Sequence, residues 1–165
     1  MGASFGTIEI RIFAVMSKHL DNDMYKSIVE AIQAAFCSER PVKLVKDTLS
    51  HENAIAFGEN IMMLYPKDVR YYVPQIMLDI LKHHESTVEM GRAEAFLRFL
   101  NGADSSSDVS KTAFTDKQGK AILLWLIFAR ELFLELPYCL EEIDNAIVYW
   151  RAAEQEASRG QPSSE

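Results

Sequence analysis

Thr115-Asp116-Lys117-Gln118-Gly119-Lys120-Ala121-Ile122-Leu123-Leu124-Trp125-Leu126-Ile127-Phe128-Ala129 is the stretch whose reading decides the fold. Its first four residues have the form of a capping box. In that motif a Thr hydroxyl accepts the backbone N–H three residues on, and a Gln there reaches back to the cap's own N–H. A helix therefore starts at Asp116. Ile122 to Phe128 would cover every face of it, and a helix apolar all round belongs inside a bundle. The uninterrupted run Ala121–Ala129 is too short to span a bilayer. The helix is expected over 116–135, ended by Leu136-Pro137, because a proline disfavours helical backbone in the residue before it.

Downstream, the next helix is expected from about Tyr138. Leu140, Ile143, Ile147 and Trp150 form its buried stripe, and Glu141, Glu142, Asp144 and Asn145 its opposite face. Trp125, Phe128, Ile143, Ile147 and Trp150 are the predicted core. The polar end, 159–165, reads as a disordered tail.

Upstream, Ser86-Thr87-Val88-Glu89 is a second capping box for a helix to Asn101, with Gly102 as a left-handed stop. Between these helices, 103–110 reads as a loop. Pro66 suits a helix start, and Pro74 is expected to interrupt that helix. The result is a short helix over 67–72 and a new one from Pro74 to about His84. Ser50 caps a helix reaching about Met63, and a short one is expected over 42–48. Met24, Ile28, Ile32 and Ala35 mark a helix from Asp23 to near Ser38. In residues 1–20, Ile8, Ile10 and Ile12 alternate as in a strand, yet the stretch also fits a helix. Helix is preferred, since a lone strand leaves its backbone groups unpaired.

The chain has 165 residues, 48% hydrophobic and 25% charged, a length that suits one domain. The fold class is all-α: a single compact bundle of six to eight helices over 1–158, with the attachment of 1–20 left open. With 17 basic and 24 acidic residues the net charge is −7. Nucleic-acid binding needs clustered Lys and Arg to displace counterions, so no nucleic-acid partner is expected. No membrane partner and no secretory signal are expected either, and the cytoplasm is the default location. The acid is uneven: from Glu131 onward there are 8 acidic and 2 basic residues. Such a face steers a basic partner by long-range attraction, or simply keeps the protein soluble.

Catalytic signatures are lacking. His83 and His84 are adjacent, so they point about 100° apart on a helix. His51-Glu52 lacks the second His of a zinc-binding HExxH, and no Glu-x-x-His pair suggests a di-iron bundle. No metal and no cofactor are expected. Cys37 and Cys139 form no CxxC, and no Gly-rich phosphate loop is present. Arg70, Tyr71 and Tyr72, between Pro66 and Pro74, are the candidate pocket-lining residues, by stacking and hydrogen bonding. The plainer reading packs a tyrosine in the core and pairs Arg70 with a carboxylate or a helix end.

The segment Tyr65-Pro66-x-x-x-Arg70-Tyr71-Tyr72-Val73-Pro74, and to a lesser degree Phe114-Thr115-Asp116-Lys117-Gln118, resembles a family of small helical, mostly bacterial proteins of unknown function. The resemblance covers about residues 50–130 and implies a helical fold but no activity or site residue. The leading functional expectation is a non-enzymatic protein-binding module. Its acidic C-terminal face, with Glu141, Glu142 and Asp144, would meet a basic protein. An immunity-type inhibitor of a basic toxin is one concrete case. The alternatives are an enzyme or small-ligand binder at Arg70, Tyr71 and Tyr72, or a homo-oligomer that covers an apolar face with its own copy.

Overall fold

The computed structural model describes residues 23–39, 50–61, 66–83, 93–102, 113–134 and 136–159. The expectations for 1–20, for the helix over 42–48, for the Ser86 capping box, for the 103–110 loop and for the tail beyond Arg159 fall outside these residues. Within them the chain is all-α: six helices and no strand. They are α1 (23–36), α2 (His51–Glu59), α3 (Pro66–Lys82), α4 (Glu94–Asn101), α5 (Asp116–Leu132) and α6 (Pro137–Arg159). No helix among the described residues is long and apolar enough to cross a membrane.

The start of α5 is built as its sequence demands. Gln118 N–H donates to Thr115 Oγ1 at 3.3 Å, and Thr115 N–H donates to Gln118 Oε1 at 3.0 Å. Gln118 is buried, and its amide also donates to Glu39 Oε1 at 2.7 Å, tying the cap to the end of α1. Ser50 starts α2, accepting the Asn53 N–H on its hydroxyl and the Ala54 N–H on its carbonyl. Gly102 ends α4 at φ 74°, with its N–H on the Phe99 carbonyl. That left-handed backbone is available to glycine at little cost.

The expected break at Pro74 does not occur. α3 runs continuously through it, from Pro66 to Lys82. A mid-helix proline loses a backbone hydrogen bond and costs about 3 kcal/mol or more. Its neighbours Val73, Ile76 and Met77 are all buried on the core, and each contributes about 1.5–3 kcal/mol. Packing outweighs the local preference.

α5 and α6 form an antiparallel hairpin, α6 also packs on α4, and α2 packs on α3 and α4. The predicted core residues Trp125, Phe128, Ile143, Ile147 and Trp150 are all buried. Trp125 joins three helices: its ring meets Phe96 edge-on at 5.8 Å, and its indole N–H donates to the Met77 carbonyl at 3.1 Å. A second aromatic series, Phe36–Phe114–Trp150–Tyr149, ties α1 to α6 through edge contacts of 5.7–6.2 Å. The expectation that α5 is buried on every side is corrected by Leu124 and Ile127, which are 40% and 42% exposed. Trp125 and its neighbours turn inward, and this one stripe faces out.

Candidate functional site

The sequence singles out two groups of site residues, and the structure distributes both. Tyr71 and Tyr72 are consecutive on α3 and point different ways. Tyr72 is buried in the core, where burial, helped by Asp68 and Tyr71, raises its hydroxyl pKa above the ordinary value. Tyr71 meets it edge-on at 5.0 Å and lines a groove of about 320 Å³ between α1 and α3. Ile32, Phe36, Pro74 and Leu78 supply apolar walls, and Gln33, Glu39 and Gln75 supply polar groups. Arg70 does not line this groove; its Nε lies 3.8 Å from the Glu39 carboxylate at the groove's edge. The three residues thus serve an ion pair, a groove wall and the core respectively.

The acidic trio on α6 is divided in the same way. Glu141 is exposed. Glu142 is half-buried and accepts a hydrogen bond from the Asn101 amide at the end of α4. Asp144 is paired with Arg130 Nε at 2.7 Å, and this pairing raises the guanidinium pKa above its ordinary value. Two of the three carboxylates are therefore engaged within the fold.

Sequence reasoning misses the apolar surface beside them. Arg130 faces Asp144, and Lys120 approaches Glu154 at 4.0 Å. These pairs mark the antiparallel register of α5 and α6, with Ile127 level with Ile147 and Val148. Between the two ion pairs, on the outer side of the hairpin, stand Leu124, Ile127 and Val148, the last 69% exposed. Leu134 and Tyr138, also exposed, lie at its turn, and the exposed carboxylates Glu131 and Glu141 lie towards that end. The helical spacing of Tyr138, Glu141, Asn145 and Val148 is the available signal. The continuous apolar run of α5 obscures it, because such a run reads as wholly internal.

A third constellation also escapes the sequence. His51 opens α2, and Asp79 and His83 stand one turn apart at the end of α3. α2 and α3 pack together, so the first residue of one meets the last turn of the other. His51 Nδ1 lies 2.7 Å from Asp79 Oδ2, and His83 Nδ1 lies 3.2 Å from Asp79 Oδ1. The two imidazoles stack, with centroids 3.7 Å apart and planes tilted by 32°. The spacing Asp79-x-x-x-His83 places both side chains on one helix face. No single-helix motif contains it, since one of its imidazoles comes from a different helix.

The thiols differ sharply. Cys37 is exposed at the α1–α3 groove. Cys139 is fully buried, and burial, with smaller contributions from Glu94 and Glu142, pushes its pKa up to about 12. A thiol held protonated in this way is a poor nucleophile.

Comparison with protein-family models, with curated proteins and with solved structures finds no match to this chain. The functional reading therefore rests on geometry.

Proposed function

We propose that this protein is a protein-binding module whose docking surface is the outer face of the α5–α6 hairpin. The observation that carries the reading is the strip Leu124, Ile127 and Val148, exposed between the Arg130–Asp144 and Lys120–Glu154 pairs. Exposed apolar patches rimmed by polar residues mark interaction sites. The buried core shared by α5 and α6 holds the two helices in register, so the strip is preformed and little ordering entropy is lost on binding. The partner is a protein with an apolar ridge flanked by basic residues. Charge complementarity favours it, because acid outnumbers base eight to two from Glu131 onward. The steering charges are chiefly Glu131 and Glu141, with Glu142 and Asp144 tied into the fold.

The test is affinity capture from host lysate with the wild type and two variants, Val148→Asp and Glu141→Lys. A stoichiometric basic protein held by the wild type, lost with Val148→Asp and eluted at lower salt with Glu141→Lys supports the reading. Equal capture by all three overturns it. So does sedimentation showing a concentration-dependent dimer that Val148→Asp dissolves, since a second copy would then cover the strip. The groove beside Tyr71 supports a second reading, a small-ligand site, because its volume and mixed lining fall within the range of such sites. Protection of Cys37 from alkylation by a bound compound would report it.

A further inference from the structure

We propose that His51, Asp79 and His83 form a binding site for a first-row divalent transition-metal ion, with zinc the ion they suit best. The site lies on the α2–α3 pair and is independent of the docking surface described above. Two imidazoles and one carboxylate are a donor set that zinc takes, and three protein ligands leave one position for water or another small ligand. One donor atom from each residue can be chosen such that all three lie within 4.8 Å of one another.

The spacing is close to what an ion needs. Ligand atoms about 2.0–2.1 Å from zinc, in tetrahedral array, stand roughly 3.3 Å from each other. His83 Nδ1 and Asp79 Oδ1 are at 3.2 Å, and His51 Nδ1 and Asp79 Oδ2 at 2.7 Å. The two pairs use different oxygens of the Asp79 carboxylate, so a single ion also requires the stacked imidazoles to turn their nitrogens toward one another. The electrostatics agree, since two neutral imidazoles and one carboxylate place a single negative charge opposite a divalent cation. Soft thiolates are not part of the set, which weighs against copper(I) and iron–sulfur chemistry. The Asp79 carbonyl lies 3.0 Å from the same His83 Nδ1, a contact that ligation through this nitrogen replaces, since the coordinating nitrogen carries no proton. The three side chains are partly shielded, at 15–30% exposure, which leaves the site open to an ion from solvent.

The experiment uses the full chain, stripped with chelator and titrated with Zn²⁺ against a chromophoric competitor. The wild type takes up one equivalent. Its thermal midpoint rises by roughly 5–10 °C when free Zn²⁺ is 100 times Kd. His51→Gln, Asp79→Asn and His83→Gln each weaken binding by at least about 100-fold. Cobalt(II) loading of the wild type keeps the test independent of variant folding. It produces four-coordinate ligand-field bands and paramagnetically shifted resonances from two imidazoles. Absence of stoichiometric uptake by the wild type overturns the proposal. So does uptake that the folded variants leave unchanged, or a cobalt spectrum with no histidine ligation.

Discussion

Replacing Trp150 by Phe tests how the core closes the end of a helix. Leu100 lies in the last turn of α4, where carbonyls have no partner within the helix. The Trp150 indole N–H supplies one from α6, at 2.9 Å and buried from solvent. Phenylalanine keeps an aromatic ring beside Phe114 and Tyr149 but removes that donor. A buried carbonyl left unsatisfied costs about 1–3 kcal/mol. The void left by the smaller ring adds about 1 kcal/mol. The sum, about 2–4 kcal/mol, is a large share of the 5–15 kcal/mol that holds a typical domain together. For a chain of this length it lowers the thermal midpoint by roughly 5–15 °C. Urea unfolding tracked by circular dichroism measures it, and the denaturant slope is expected to stay constant because the exposed surface hardly changes. Hydrogen exchange on the wild type gives a second view. The Trp150 indole N–H should exchange only through large-scale opening. A stability loss under about 1 kcal/mol, or an indole proton that exchanges as fast as an exposed one, would refute the argument.

Gly102→Ala forces a Cβ onto a residue at φ 74°, 3.0 Å from a Tyr149 ring carbon; the left-handed conformation alone costs about 1–2 kcal/mol. Thermal melts should show the alanine variant less stable than the wild type; an alanine variant as stable as the wild type would contradict this. In the native state, iodoacetamide should modify Cys37 and spare Cys139, as read by peptide mass. The Cys139 thiol, raised to about 12 when folded, ionises near 8.5 when unfolded. Its contribution to stability is therefore complete below about pH 8.5 and declines towards pH 12, by at most about 1.4 kcal/mol per unit, because only the unfolded chain releases the proton. Cys139→Ala should flatten that alkaline decline in urea melts, and an unchanged slope would count against burial as its cause.

Much of the architecture is legible in the sequence, because it rests on local chemistry. The Thr115–Gln118 box, the Ser50 cap, the Gly102 stop and the three- and four-residue spacing of Ile143, Ile147 and Trp150 each involve neighbours along the chain. A short stretch of sequence contains all the partners such features need. Pro74 misleads because its cost is local, whereas the burial of Val73, Ile76 and Met77 that offsets it comes from other helices.

The candidate sites depend on tertiary structure for the same physical reason. His51 and Asp79 are 28 residues apart, and only the packing of α2 on α3 brings a ring nitrogen to a carboxylate. Asp144 is acidic in any reading, yet Arg130 engages it only after α5 and α6 align. Leu124 and Ile127 look like core residues in the chain. Whether an apolar side chain is covered depends on what packs over it, and helical period alone says only which residues share a face. The amino-acid order by itself determined the helical class, the Thr115 and Ser50 caps, the Gly102 stop and the inward stripe of α6. The fold alone decided which carboxylates are engaged, which apolar stripe faces solvent and which distant ligands meet, because those are contacts between segments that no local pattern encodes.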